Sequence, residues 1–172
     1  MIINATIISK PDAGEFPEKI FDIQDPWNLD YWSWIKFEDE EYSEWCGQFR
    51  GSPKSVEIDN ETNSIIVLTS AFFFLLDKRT GELKHSAQNG QYMNLTIAPN
   101  GCYIIADYYN LAIITSDLSN ITSIESPILM DMIKFEGWYN NLLEFTCDEF
   151  TNWDRHLLMT YNHETNEIKI KE

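Results

Sequence analysis

The chain has 172 residues, enough for one domain with a sizeable core. Twelve Lys and Arg stand against 28 Asp and Glu, a formal net charge of −16. That charge repels the phosphates of nucleic acid and the anionic surface of a membrane, and it attracts basic partners. Aromatics make up 14% of residues and Ile is abundant, which favours strands over helices.

In chain order, residues 2–8 and 19–23 read as strands on either side of the turn Lys10-Pro11-Asp12-Ala13-Gly14. The start lacks the basic, apolar and small-residue regions of a signal peptide, which sets a cytoplasmic expectation. No apolar stretch approaches the ~18 residues that suggest a membrane span. Asp25-Pro26-Trp27 reads as the cap of a short helix, with Pro at the first helical position. Next come Trp34-Ile35-Lys36-Phe37-Glu38 and Glu44-Trp45-Cys46, which read as a hairpin. Its tip holds the densest charge block, Glu38, Asp39, Glu40 and Glu41, with Trp32, Trp34, Tyr42 and Trp45 on its flanks.

From residue 52 onward the pattern divides into similar units. Strands are expected at 56–58, 64–69, 72–76 and 82–85, then 94–97, 102–106, 111–115 and 121–124, then 132–135, 142–146, 155–161 and 167–171. Three turns share one pattern: Asp59-Asn60-Glu61-Thr62-Asn63, Asp77-Lys78-Arg79-Thr80-Gly81 and Asn162-His163-Glu164-Thr165-Asn166. The Asx side chain accepts a hydrogen bond from a backbone N–H two residues on, and the closing Gly or Asn takes the left-handed conformation. Ala98-Pro99-Asn100-Gly101 and residues 137–141 read as further turns. Corresponding first strands, taken at Ile58, Ile97 and Phe135, lie 39 and then 38 residues apart. Ile35-Lys36-Phe37-Glu38 recurs as Ile133-Lys134-Phe135-Glu136, which suggests a degenerate fourth unit at the N-terminus. The expected organisation is one all-β domain over 1–172, with N-terminal strands and the degenerate unit at 1–51 and repeat units at 52–87, 88–126 and 127–172.

Leu75-Leu76-Asp77-Lys78-Arg79-Thr80-Gly81-Glu82-Leu83 resembles the outer hairpin of quinoprotein-type β-propeller repeats. Residues 95–106, built around Ala98-Pro99-Asn100-Gly101, resemble the inner hairpin of WD40-like blades. The resemblance implies an antiparallel meander of three to four four-stranded propeller-like units, a small or incomplete propeller. An open β-sandwich is the alternative.

Strands in a meander reverse at every turn. The tight Asx turns therefore collect at one end of each unit. The opposite end carries the second-to-third strand loops and the linkers between units. Rigid β scaffolds concentrate function in such loops. There the sequence places Asp107, Tyr108, Tyr109, Asp148, Glu149, Phe150, Trp153 and Asp154, aromatics mixed with acids. This is the composition of a contact surface with aromatic anchors and a carboxylate rim. The tip Glu38, Asp39, Glu40 and Glu41 is a second contact candidate.

Cys46, Cys102 and Cys147 form no close metal-ligand pair and no disulfide framework. No nucleophile elbow, phosphate-binding Gly loop or metal-binding His pair occurs, so neither cofactor nor metal is expected. These observations point to an acidic protein-binding module, of inhibitor or immunity type, that neutralises a basic partner enzyme. A small carboxylate-dependent hydrolase acting on glycans and an architectural repeat domain are the alternatives. The sequence does not specify the oligomeric state.

Overall fold

A computed structural model describes residues 1–23 and 31–171, so the expected cap at Asp25-Pro26-Trp27 lies outside the described residues. Among the described residues there are 16 strands in four four-stranded sheets, and there is no helix. The all-β reading with four propeller-like units is borne out. The chain forms two compact units, 1–91 and 92–172, each built from two sheets.

The first unit begins with β1 (Ile2–Ile8), β2 (Glu18–Phe21), β3 (Trp32–Asp39) and β4 (Glu44–Arg50). Their spatial order is β1-β3-β4-β2, with β2 parallel to β4 and the other pairs antiparallel. Its second sheet is a plain meander of β5 (Pro53–Asp59), β6 (Ser64–Thr69), β7 (Phe72–Asp77) and β8 (Leu83–Gln88). The two sheets share a core in which Ile35, Phe37 and Phe49 meet Ile65, Val67 and Phe74. Phe49 lies flat on Phe21 at 4.5 Å and presents its edge to Phe74 at 5.0 Å. Such pairs add to the burial of large apolar area.

The second unit holds two further meanders. One comprises β9 (Asn94–Ile97), β10 (Tyr103–Ala106), β11 (Leu111–Ile114) and β12 (Ile121–Ser123). The other comprises β13 (Met130–Tyr139), β14 (Leu142–Glu149), β15 (Asn152–Asn162) and β16 (Glu167–Ile170). Ile104, Ala106 and Leu111 from the first of these pack on Ile133, Phe145 and Met159 from the second. Trp138 Nε1 donates to Thr96 Oγ1 at 3.0 Å, and Asn94 Nδ2 donates to the Ile133 carbonyl at 3.0 Å.

All three Asx turns form as read. Asp59 Oδ1 accepts from the N–H groups of Glu61 (2.8 Å) and Thr62 (3.2 Å), and Thr62 Oγ1 donates to Asp59 Oδ2 at 2.6 Å. Asp77 and Asn162 accept the equivalent pairs of N–H groups. The closing residues Asn63, Gly81 and Asn166 have φ of 51°, 68° and 58°.

Three features differ from the expectation. The third repeat unit turns at Asn140-Asn141, not over 137–141. β13 runs on to Tyr139, and Gly137 (φ 140°) absorbs a register shift inside the strand. The segment 147–154 is not a long loop, because β14 reaches Glu149 and β15 starts at Asn152. Trp153 and Asp154 therefore belong to a strand. The recurrent Ile-Lys-Phe-Glu motif opens a hairpin both times, but β3 is an inner strand of its sheet and β13 is an edge. The difference arises because β1 pairs with the outer side of β3, a side that β13 leaves open within its sheet.

Candidate functional site

The second unit brings three connections together. Asp107, 4% exposed, uses Oδ1 to accept hydrogen bonds from the N–H groups of Tyr109 (2.7 Å) and Asn110 (2.6 Å), which shapes the β10–β11 loop. Its carboxylate therefore builds the loop that presents Tyr108 and Tyr109. The Ile133 N–H donates to the Tyr108 carbonyl at 3.3 Å, and the Phe150 N–H donates to the Leu129 carbonyl at 2.9 Å. These bonds hold the β10–β11 loop against the start of β13 and the β14–β15 turn against the linker that joins the two sheets. The Tyr109 and Phe150 rings meet edge to face at 6.0 Å.

Two bulges finish the arrangement. On β13, Asp131 pairs with Asp148 but Lys134 pairs with Thr146, so one extra residue is accommodated, and Met132 takes φ of 55°. On β15, His156 pairs with Asp148 and Asn152 with Glu149, which pushes residues 153–155 out of the ladder beside Thr151 (φ 70°). Bulges bend a strand and re-aim its side chains. Trp153 Nε1 then reaches across β14 to donate to Asp131 Oδ2 at 3.2 Å. The result is a set of large apolar side chains left in solvent at this end of the unit: Tyr108, Tyr109, Leu129, Met132, Phe150 and Trp153, between 41% and 74% exposed. Isolated exposed apolar residues are ordinary, whereas six at one end of a unit call for an explanation.

A cavity of about 640 Å³ opens in this region. Ile124, Ile128, Leu129 and Met130 wall it together with the rings of Tyr109 and Phe150. Glu125 is the one charged residue in its lining.

The remaining acids have distinct roles. Glu149 accepts from Asn152 Nδ2 at 2.9 Å and from Arg155 Nη1 at 3.0 Å. These two hydrogen bonds hold its carboxyl below the ordinary range. Asp148 lies 2.5 Å from His156 Nδ1. Asp154 is exposed and makes no hydrogen bond or ion pair among the described residues. Asp148 and Glu149 thus serve separate partners and do not face one another across a cleft. Cys147 is buried in the core, and burial, then the Asp148 charge, pushes its thiol up to about 11. Cys46 is likewise buried and raised to about 11. Neither thiol is prepared as a nucleophile, which needs the thiolate.

The acidic tip belongs to the first unit. Asp39 Oδ1 accepts from the N–H groups of Glu41 and Ser43, both at 2.9 Å, and Glu40 pairs with the N-terminal ammonium at 3.3 Å. Glu38 stands opposite Glu44 in the ladder, Glu44 accepts from Lys36 Nζ at 2.7 Å, and Glu41 is exposed. The flanking rings are spread along the hairpin. Trp32 sits at the other end of β3 beneath the Arg50 guanidinium (3.8 Å), and Trp45 lies on Phe37 at 4.3 Å. Tyr42, 79% exposed, is the aromatic ring at the tip itself.

The sequence singles out Tyr108, Tyr109, Phe150 and Trp153 and places the linker 125–131 at the same end, without distinguishing Glu125, Leu129 or Asp131 within it, and it assigns Met132 to a plain strand. One signal was present. Met130 and Ile133 are both core residues three positions apart, which breaks the period of two and marks a bulge between them.

No protein-family model and no curated protein matches the chain. Among solved structures, the β-propeller domain of Myceliophteria thermophila Cps50 (Swd1) is similar, with a TM-score of 0.50 and 10% identity, over 83% of this chain and 54% of that one. The N-terminal domain of Nup159 aligns with a TM-score of 0.48 and 10% identity, over 71% of this chain and 34% of that one. The chain thus spans about half the length of the Swd1 propeller domain and about a third of the Nup159 domain. The Swd1 likeness agrees with the four-stranded antiparallel sheets and shows a propeller-like fold. Among the described residues, no helix is long and apolar enough to cross a membrane.

Proposed function

We propose that this protein is an acidic protein-binding module whose second unit docks a basic partner, in the manner of an inhibitor or immunity protein that neutralises an enzyme in the cytoplasm. The observation that carries this reading is the exposure of Tyr108, Tyr109, Phe150 and Trp153 with Leu129 and Met132 on the loops and bulged strand ends at one end of the unit. Rigid aromatic anchors supply contact area at low entropic cost. Asp148, Glu149 and Asp154 form the rim, and the net charge of −16 accelerates the approach of a cationic surface. Glu38, Asp39, Glu40 and Glu41 form a secondary acidic contact. No cofactor or metal enters this function.

A random peptide library displayed on phage and selected on the intact chain tests the reading. The counter-selection uses a triple variant, Asp148→Asn with Glu149→Gln and Trp153→Ala. Enriched peptides are expected to carry a net positive charge and to bind the variant at least tenfold more weakly, while circular dichroism shows both proteins folded. Enrichment of neutral or acidic peptides, or equal binding to the folded variant, overturns it.

A further inference from the structure

We infer that the cavity in the second unit receives an arginine side chain, together with the apolar residue beside it, from a protruding loop of the partner. This rests on the protein-binding reading above and names what the partner inserts.

The cavity's chemistry is that of an amphipathic cation. Ile124, Ile128, Leu129 and Met130 offer an apolar wall for an aliphatic stem. Tyr109 and Phe150 contribute aromatic rings to the lining, and a guanidinium stacks favourably on such rings. Glu125 is exposed and makes no hydrogen bond or ion pair among the described residues, so its carboxylate is available to the planar guanidinium fork. Asn110, Ser123 and Ser126 complete the lining with groups that can bond an inserted backbone. An anionic ligand would meet Glu125 and the field of a chain with net charge −16. A neutral apolar ligand would leave the carboxylate unused.

Size and continuity favour a protein loop over a free amine. About 640 Å³ falls within the range of about 300–1,000 Å³ that holds a drug-sized ligand, and it exceeds the needs of one side chain. The exposed rings of Tyr108 and Trp153, 43% and 64% accessible, extend the apolar surface beyond the residues that line the cavity.

The test uses a head-to-tail cyclic hexapeptide that displays Arg-Leu in a Gly/Ser frame, and its twin with citrulline for arginine. Methyl resonances of Ile124, Ile128, Leu129 and Met130 report the cavity, and the Trp153 indole N–H reports the surrounding surface. The arginine peptide is expected to shift the methyls saturably. Its Kd should rise at least tenfold with citrulline and at least fivefold in Glu125→Gln, a surface change that leaves the core intact. Equal binding of the two peptides overturns the inference, as do methyls that stay fixed. If the indole alone moves, with these peptides or with library-selected ones, the arginine site falls and the docking surface stands. If selected peptides move neither reporter, both readings fall.

Discussion

Glu57 shows how one residue can set a pH response. It lies on β5, half-buried, and burial alone pushes its carboxyl up to about 7. Its folded pKa is raised, so the native state binds the proton more tightly than the unfolded chain. The associated stability is fully present below the ordinary value of about 4.5 and is lost as pH rises through about 7. We expect Glu57→Gln to be more stable than the parent at pH 8 by about 1–3 kcal/mol, with the difference shrinking toward pH 4.5. Urea unfolding of both proteins across that range checks it. A parallel pair of stability curves contradicts it. Asp107 shows the converse, an acid whose role is local. Its carboxylate accepts from the N–H groups of Tyr109 and Asn110 and so shapes the aromatic loop from beneath the surface.

At the scale of single elements, β4 depends on a missing side chain. A Cβ on Gly47 would lie 2.5 Å from Phe49 Cε2 and 3.0 Å from Phe37 Cε2. Phe49 cannot retreat, because Phe21 lies flat on one face and Phe74 meets it edge to face. We expect Gly47→Ala to destabilise the chain by about 1–3 kcal/mol, the usual cost of overpacking, read as a lower urea midpoint with unchanged slope. The bulged strands β13 and β15 work differently. Their extra residues break the ladder at the end of β14 and leave Met132 and Trp153 outside the core. A regular ladder would keep the strict in-and-out alternation and could not expose both beside the Asp131–Trp153 bond.

Charge is the property that belongs to the whole molecule. With a net charge of −16 at pH 7 and an isoelectric point near 4.4, copies repel one another at neutral pH. The sheet formed by β13 to β16 also carries ion pairs among its solvent-facing groups. Lys171 pairs with Glu144, Lys169 with Glu167 and Lys134 with Glu136. Exposed pairs of this kind contribute little stability, but they keep a sheet face wetted. Self-association is therefore expected to be weakest at pH 7–8 in low salt and to rise steeply as pH approaches 4.4. Sedimentation velocity at several concentrations checks it. A constant sedimentation coefficient across that pH range contradicts it.

The sequence by itself determined the Asx turns and the succession of hairpins, and through them the strand order of three of the four sheets. An Asx side chain and a closing Gly or Asn act within five residues, so Asp59, Asp77 and Asn162 needed no distant partner to be legible. The parallel β2–β4 pair was not legible, because the pairing joins segments far apart in sequence and no turn specifies it. The same limit applied to the candidate site. Tyr109 and Phe150 could be assigned to the same end of neighbouring hairpins from strand reversal alone. Their contact, the cavity beside them and the exposure of Leu129 and Met132 were decided only when two sheets packed on one core and the bulges took up the mismatch. Local hydrogen bonds read out locally, whereas a concave surface is made by side chains that meet through the fold.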